Sequence, residues 1–552
     1  MQSPPIWPRV VTVIAISWGI FQFAVLSFVL LTWVGVFAFA LPTIVSANRQ
    51  LDTETTVETP APPTGGTVES YYQQDLVWSQ CSTEQVSTDS SGAPSDIENY
   101  QCTTFYVPLD WNAPDGETIT LTMAKHVGDQ SGGNALFFNL GGPGASSVDS
   151  LTWMVNDQFG ADVVDAYDIV ALDPRGVGAS TPLKCMTDAE RDEWNNDVTT
   201  AEEAAMSYEE KAEKARQEAV DYAAGCQTHS GDLYKYVDTV SVARDFDVAR
   251  ALMGQNTLNY VGYSYGTFLG ATYAEQFPDM VGRFILDSAV DPAVDINTLS
   301  ELQMRGFEAS LRHWVEVCQQ TSTCPFDGTV DEAMQQIADF FSRIEKQPLP
   351  TSDPDRPLTI GLASTAVIGT LYSTDTYEML QQGLSQAFLD GDGSTLLFIA
   401  DILNERNVDG TYDGSGSDAL VAVNSLDMEP VGTVEEWVAQ VKKVEEELTV
   451  MGRFMGWSSA SLEGWPTQHA SRGPITAAGA APIVVIGVTN DPATPYVMAQ
   501  SLAEQLESGV LVTWEGWSHG AYSKDGSSCV SDAVEGYLLD GTVPNDGLVC
   551  TD

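Results

Sequence analysis

The chain has 552 residues, which suits one large domain with insertions or two to three smaller domains. Its hydrophobic fraction of 43% can fill a sizeable core and excludes a globally disordered chain. Asp and Glu outnumber Lys and Arg by 77 to 24, and the net charge of −53 argues against nucleic-acid binding and against electrostatic docking on anionic lipid.

The N-terminal part is strongly apolar. Residues 10–48 contain no charged side chain, and the run Val10–Leu41 exceeds both the ~20 residues of a membrane span and the ~7–15 of a signal-peptide core. Arg9 precedes the run and an acidic segment follows, so we expect residues 1–48 to insert in the membrane and the rest to lie outside the cytoplasm. Retention as an anchor and cleavage near residues 45–47 both remain open.

Residues 49–75 are rich in Thr, Pro, Glu and Gly and predict an extended linker. An even number of cysteines follows it, which predicts disulfides in an exported protein. Eight cysteines allow 105 pairings. We expect each cysteine to pair with the next one along the chain, because each disulfide then closes one local segment. The cysteines are Cys81, Cys102, Cys185, Cys226, Cys318, Cys324, Cys529 and Cys550.

Neither a metal nor a cofactor is expected. The chain has no Cys-x-x-Cys pair, and its five histidines are scattered along the sequence. A zinc site needs such ligands at close spacing.

Short apolar runs separated by helical patterns fill the chain from residue 76 onward. Two runs alternate in polarity like antiparallel strands, and six read as buried parallel strands. This order predicts a doubly wound, mostly parallel α/β sheet that begins with antiparallel strands. The runs are Thr103–Leu109, Thr118–Lys125, Ala135–Leu140, Tyr167–Leu172, Leu258–Gly262, Phe284–Asp287, Pro482–Val488 and Val510–Trp514.

Two long segments interrupt this alternation. Residues 183–238 are polar and helix-forming, and residues 293–478 carry mostly helical patterns. The second is large enough for a lid inserted between strands. The sequence therefore predicts a core in two parts, 76–292 and 479–552, on either side of a helical lid.

The motif Gly-Tyr-Ser-Tyr-Gly at residues 262–266 follows an apolar strand and precedes a helical pattern. A G-x-S-x-G motif in that position is a nucleophile elbow, which lifts the serine hydroxyl above the sheet at a helix N-terminus. We therefore predict Ser264 as a nucleophile.

A serine nucleophile needs a base, and the base needs an acid. His519 is the best-placed histidine, because it follows the last strand near the chain end. The α/β-hydrolase order is Ser, acid, His, which favours Asp491 in the loop after Pro482–Val488; Asp287 is the alternative. The other histidines are expected to have surface or packing roles; they are His126, His229, His313 and His469.

An oxyanion site needs backbone N–H donors. The amide of Tyr265, next to the nucleophile, is one candidate. The other is expected in the Gly-Gly-Pro-Gly turn at residues 141–144, after the strand Ala135–Asn139. Pro143 has no N–H, so Gly142 or Gly144 must donate; we favour Gly142.

Together these motifs resemble the tripeptidyl aminopeptidase family, exported serine exopeptidases that are related to prolyl iminopeptidases within the α/β-hydrolase fold. The motifs are GGPG at 141–144, DPRGVGAS at 173–180, GYSYG, DPATP at 491–495 and WSHG at 517–520. The resemblance implies a Ser264–Asp491–His519 triad and cleavage of peptides near a free N-terminus. Leu140 stands where prolyl iminopeptidases usually have His, which puts proline specificity in question. The expected Cys shortly before Trp465 is absent.

The leading hypothesis is an exported serine aminopeptidase with peptide substrates. An esterase that uses the same triad is the alternative, and a catalytically silent binding protein is a third reading that the intact triad argues against. A lid carboxylate is expected to bind the substrate's ammonium group. The acidic lid residues considered are Asp375, Asp390, Asp392, Glu435 and Glu436.

Overall fold

The computed structural model describes residues 63, 66–86, 94, 96–196, 198–467 and 472–552. Ten strands form one sheet in the order β1-β2-β3-β5-β4-β6-β7-β8-β9-β10. The strands are β1 Ser79–Gln80, β2 Tyr100–Pro108, β3 Thr118–His126, β4 Ala135–Asn139, β5 Asp168–Leu172, β6 Leu258–Tyr263, β7 Val281–Asp287, β8 Ile483–Val488, β9 Gly509–Trp514 and β10 Leu548–Cys550.

The sheet changes from antiparallel to parallel along its width. Strands β1, β2, β3 and β5 pair antiparallel, and every pair from β5 through β10 is parallel. The eight strands expected from the sequence are all present, with ends shifted by up to three residues. The strands β1 and β10 were not predicted; they are two and three residues long and lie at the two edges.

Apolar side chains on both faces of the sheet explain its continuous hydrophobic runs. Phe137 packs into one buried cluster, whereas its neighbour Phe138 packs into a second one on the opposite face. Val485 and Val484 divide in the same way. Successive side chains of a strand point to opposite faces, so helices must cover both sides.

Helices cover the sheet and fill the two insertions. Residues 201–224 belong to two helices, because Ser207 begins a second helix with a capping box to Glu210. The helices outside segment 293–478 are Val68–Tyr71, Thr83–Val86, Ser147–Trp153, Ala161–Ala166, Asp188–Asn195, Ala201–Ala204, Tyr208–Ser230, Thr239–Leu252, Tyr265–Gln276, Val497–Gln505 and Ser528–Asp540.

The segment 293–478 has a hydrophobic core of its own. Leu311, Trp314, Ile337 and Phe341 are buried there, on helices whose apolar residues recur every three or four positions. Its helices are Ile296–Cys318, Val330–Lys346, Ile360–Thr370, Tyr377–Ser385, Ser394–Leu403, Gly416–Asp427, Val434–Glu447 and Ser458–Gly464.

The predicted sequential disulfide pairing is confirmed. The bonds are Cys81–Cys102, Cys185–Cys226, Cys318–Cys324 and Cys529–Cys550. Tyr71, at the end of the predicted linker, is buried and donates a hydrogen bond to Pro114 O, so packed structure begins before residue 76.

Among the helices of the described residues, none is both long and apolar enough to cross a membrane. The apolar segment 10–41 and His469 lie outside the described residues.

Candidate active site

The turn between β6 and the helix Tyr265–Gln276 carries the predicted nucleophile. Ser264 adopts φ 57° and ψ −126°, a conformation that is costly for a residue with a side chain. Its backbone is fixed, because Ser264 N donates to Asp287 O at 3.0 Å and Ser264 O accepts from Thr267 N at 2.9 Å. Ser264 is partly exposed, and its hydroxyl makes no hydrogen bond to any other described residue. The hydroxyl is therefore not tied to a neighbouring side chain.

Two glycines allow the tight turn. A Cβ atom on Gly262 would overlap the carbonyl of Gly266, and a Cβ atom on Gly266 would meet the Asn139 carbonyl at the end of β4. The motif needs glycine at both positions because strand, turn and neighbouring strand approach each other so closely.

The predicted acid and base are in contact. His519 Nδ1 lies 2.9 and 3.0 Å from the two carboxylate oxygens of Asp491, and both side chains are buried. The Asp491 carboxylate also accepts from Ala493 N, Thr494 N and Thr494 Oγ1, each at 2.9 Å. These bonds fix the carboxylate and orient the imidazole, so that Nε2 is the ring nitrogen left for proton transfer.

The loop that carries His519 is held by four consecutive backbone N–H groups. His519 N donates to Tyr372 O at 2.7 Å, and Gly520 N donates to Ser288 Oγ at 2.6 Å. Ala521 N and Tyr522 N donate to the carboxylate of Asp287, at 3.0 and 2.8 Å to Oδ2. The loop is therefore anchored to residues that follow or end β7 and to the helical segment.

Asp287, the alternative acid, holds the backbone of the histidine loop and is not hydrogen-bonded to the imidazole. Its carboxylate accepts from the backbone of the histidine loop, and no hydrogen bond joins it to the His519 side chain among the described residues. Burial raises the pKa of Asp287 to about 6, although the two N–H donors oppose that rise. The carbonyl of the same residue accepts from Ser264 N, so Asp287 connects the nucleophile turn to the histidine loop.

The Gly-Gly-Pro-Gly turn passes directly beside the nucleophile. A Cβ atom on Gly141 would lie 2.9 Å from Ser264 Cβ and 3.0 Å from Tyr265 N. Gly141 N donates to Asn139 Oδ1, whereas the N–H groups of Gly142 and Gly144 make no hydrogen bond within the described part of the chain. Tyr265 N is the first N–H of its helix and lacks an intrahelical acceptor. The turn thus places backbone N–H groups that have no acceptor in the described chain close in sequence to Gly141, which lies beside Ser264, and such donors are what an oxyanion site requires.

Asp173, in the DPRGVGAS motif, binds the residues that follow the Gly-Gly-Pro-Gly turn. Its buried carboxylate accepts from Ser146 Oγ and Val148 N at 3.0 Å and from Ala179 N at 2.8 Å. Burial, together with the nearby charge of Asp149, raises the pKa of Asp173 to about 7. The helix that follows the Gly-Gly-Pro-Gly turn is therefore fixed to the end of β5.

The helical segment contacts the site from two directions. Beside the histidine, the rings of Tyr372 and His519 meet edge to face at 5.2 Å, and His313 stacks on Trp517 at 3.9 Å. The stacking agrees with the packing role expected of His313. At the other side, Gly416 touches Gly144, so closely that a Cβ atom on Gly144 would overlap the Gly416 carbonyl.

The fold thus brings Ser264, Asp491, His519, Tyr265 and Gly142 to one end of the parallel strands. Sequence reasoning missed Tyr372, Ser288 and Thr494. Only Thr494 left a local signal, because a threonine three residues after an aspartate commonly bonds back to it. Among the described residues, no group of three or more His, Cys, Asp or Glu side chains is arranged to hold a metal ion.

Comparison with known proteins agrees with this architecture. A family model described as alpha/beta hydrolase fold matches residues 134–354, and one described as TAP-like protein matches residues 448–550. "Serine protease Hip1" of Mycobacterium tuberculosis is 32% identical, over 86% of this chain and 91% of that protein. "Carboxylesterase B" of the same species is 34% identical, over 83% and 87%. "Tripeptidyl aminopeptidase" of Streptomyces lividans is 28% identical, over 82% and 83%.

Proposed function

The chain belongs to the tripeptidyl aminopeptidase family of α/β-hydrolases and is a serine peptidase. We propose that it releases short peptides from the free N-termini of its substrates and that it acts outside the cytoplasm. The observation that carries the proposal is the Asp491–His519 pair, held on a loop that Asp287 ties to the Ser264 turn.

The reaction begins with attack of Ser264 Oγ on the scissile carbonyl carbon, while His519 Nε2 takes the hydroxyl proton. The carbonyl oxygen becomes an oxyanion and accepts hydrogen bonds from Tyr265 N and Gly142 N. His519 then gives its proton to the amide nitrogen, the C–N bond breaks, and the shortened polypeptide leaves with a new N-terminus.

Water completes the cycle. His519 takes a proton from water, whose oxygen attacks the acyl carbon; the ester bond breaks, and Ser264 Oγ recovers a proton from the imidazolium. The released peptide carries the new carboxylate. Asp491 holds Nδ1–H in place throughout and stabilises the imidazolium that forms twice in each cycle.

The position of the helical segment supports action at chain ends. It contacts the histidine loop through Tyr372 and the Gly-Gly-Pro-Gly turn through Gly416. A cover of this kind excludes folded chains and admits an extended terminus.

Export is supported by the disulfides. All eight cysteines are paired, which is typical of proteins that fold in an oxidising compartment. The uncharged segment 10–48 supplies the export signal in this proposal, as a retained anchor or a cleaved leader.

An esterase is the second candidate, because one relative carries the name carboxylesterase B. A panel of aminoacyl-, dipeptidyl- and tripeptidyl-anilides, beside acyl esters of the same chromophore, tests both functions. The proposed function requires hydrolysis of the anilides with a free amine. Turnover of esters alone, by a protein that a fluorophosphonate still labels at Ser264, would contradict it.

A further inference from the structure

The helix Ile296–Cys318, the first of the helical segment, contacts both loops that carry the predicted acid and base. We call residues 489–496, which carry Asp491, the acid loop. The helix touches the acid loop and the histidine loop through residues 303, 306, 307 and 313. At about 100° per residue these positions fall on one face of the helix. One side of a single helix therefore meets both loops.

Ala493 connects the acid loop to this helix. Its N–H donates to Asp491 Oδ1 at 2.9 Å, and its carbonyl accepts from Gln303 Nε2 at 3.0 Å. The Ala493 side chain is buried in the hydrophobic core of the helical segment, together with Phe307 and Leu311. The residue that helps to fix the carboxylate of the acid is thus itself held by the helical segment.

Gly306 brings the helix into close contact with the same loop. A Cβ atom on Gly306 would overlap the carbonyl oxygen of Pro492, so only glycine fits at this separation. Glycine inside a helix lowers the stability of the helix relative to alanine. The close approach of the helix to the acid loop is the structural reason for a glycine at this position.

Further along the helix, two aromatic side chains support the histidine loop. Phe307 packs on Tyr372 with the ring centroids 5.4 Å apart, and the carbonyl of Tyr372 accepts the N–H of His519. His313 stacks on Trp517, with the centroids 3.9 Å apart and the ring planes 14° from parallel. Trp517 lies two residues before His519. The helix thus supports the loop that carries the base through Tyr372 and through Trp517.

The helix is itself fixed within the helical segment. The buried carboxylate of Glu308 accepts from three consecutive backbone N–H groups, those of Thr449, Val450 and Met451, at 2.9 to 3.1 Å. Hydrogen bonds to a charged acceptor are among the stronger ones in proteins. Because a packed interior transmits strain, a shift of the helical segment would move both the acid loop and the histidine loop.

We propose that the helix Ile296–Cys318 belongs to the catalytic machinery, with Gln303 and His313 as positioning residues that hold Asp491 and His519 at hydrogen-bond distance. The inference rests on the triad of the proposed function. The helical segment then does more than cover the site, because the acid–base pair is complete only while this helix is docked against both loops.

The first test is Gln303→Met, which keeps the length of the side chain and removes the donor to Ala493 O. We expect the second-order rate constant for labelling of Ser264 by a fluorophosphonate to fall by about tenfold, because a small misplacement of catalytic groups lowers the rate. On a tripeptidyl-anilide the loss should appear in kcat and leave KM nearly unchanged, since Asp491 acts through the imidazole and does not bind the substrate.

Gln319→Met is the matched control. Gln319 lies at the C-terminal end of the same helix, and its amide donates to a backbone carbonyl, that of Gly328, at 3.2 Å. The substitution and the type of hydrogen bond are the same, but neither catalytic loop is involved, so the labelling rate should not change. An equal fall in both variants would indicate a general effect on the helix and would overturn the positioning role.

A double-mutant cycle separates positioning from packing. In the Asp491→Asn background the carboxylate that Gln303 helps to hold is absent, so the addition of Gln303→Met should cause little further loss. A second loss of about tenfold would mean that Gln303 acts independently of Asp491, and it would overturn the proposal.

If Gln303→Met does not fold, His313→Ala replaces it. This variant removes the ring that stacks on Trp517 and should slow labelling by a similar factor, whereas His313→Phe keeps an aromatic ring and should restore the rate. Equal labelling rates in wild type and His313→Ala would then overturn the proposal. Fluorophosphonate labelling requires no peptide, so a failure to cleave anilides would contradict the proposed function and leave this test intact.

Discussion

Asp287 Oδ2 lies 2.8 Å from the backbone nitrogen of Tyr522, three residues after His519, while the carbonyl of Asp287 accepts from Ser264 N. One buried residue at the end of β7 thus binds the nucleophile turn with its backbone and the histidine loop with its side chain. Asp491, in the loop after β8, contacts the imidazole itself. Asp287 therefore holds the loop in place, whereas Asp491 contacts the imidazole ring.

Asp491→Asn should lower kcat by roughly three to four orders of magnitude, because an amide at this position favours the wrong imidazole tautomer. The thermal midpoint should change little, since the substitution keeps the shape. Steady-state kinetics on the free-amine anilide measures the loss. Asp287→Asn serves as the matched comparison, and a larger loss of turnover there, at equal stability, would reverse the assignment of the acid.

Asp287 should make folding stability depend on pH. Burial raises its pKa from 3.8 to about 6 in the folded state. Its stabilising contribution is therefore complete below about pH 3.8 and disappears as the pH rises through 6. The free energy of unfolding of wild type relative to Asp287→Asn should fall by about 3 kcal/mol between pH 3.5 and pH 7. Denaturant titrations of both proteins measure the difference, and a difference that rises with pH would refute the assignment.

Gly144→Ala should disrupt the contact between the turn and the helical segment. Gly144 has φ 112°, and a methyl group there would overlap the Gly416 carbonyl. We expect a lower thermal midpoint and a loss of turnover by more than tenfold, because the turn must shift away from Ser264. Gly536→Ala is the control: a Cβ atom there meets nothing within 4 Å, and alanine favours its helix. Equal behaviour of the two variants would contradict the predicted contact.

Protein purified from its native host should contain no titratable thiol after denaturation without reductant. All eight cysteines are paired in the structure, and export through the apolar N-terminal segment would expose them to oxidising conditions. Ellman titration in denaturant measures this directly. Eight free thiols would remove the case for an exported protein while leaving the family assignment untouched.

The sheet was predictable because its strands are buried on both faces and read as continuous apolar runs. The two missed strands, β1 and β10, are too short to show any period. The positions of Ser264, Asp491 and His519 at one edge of the sheet were predictable, because each residue follows a strand of the parallel sheet and the carboxyl ends of such strands meet at one edge.

The contact that Tyr372 makes with the histidine loop was not predictable, since it joins residues far apart in the chain. The backbone carbonyl of Tyr372 would accept a hydrogen bond whatever its side chain, so no sequence pattern could reveal it.

The anchoring of the histidine loop also bears on the order in which the site is assembled. The loop takes acceptors from Asp287 at the end of β7, from Ser288 and from Tyr372, which all lie far before His519 in the chain. A chain whose helical segment has not yet docked lacks one of these acceptors. The histidine loop therefore reaches its final position only after the helical segment and the sheet have packed together.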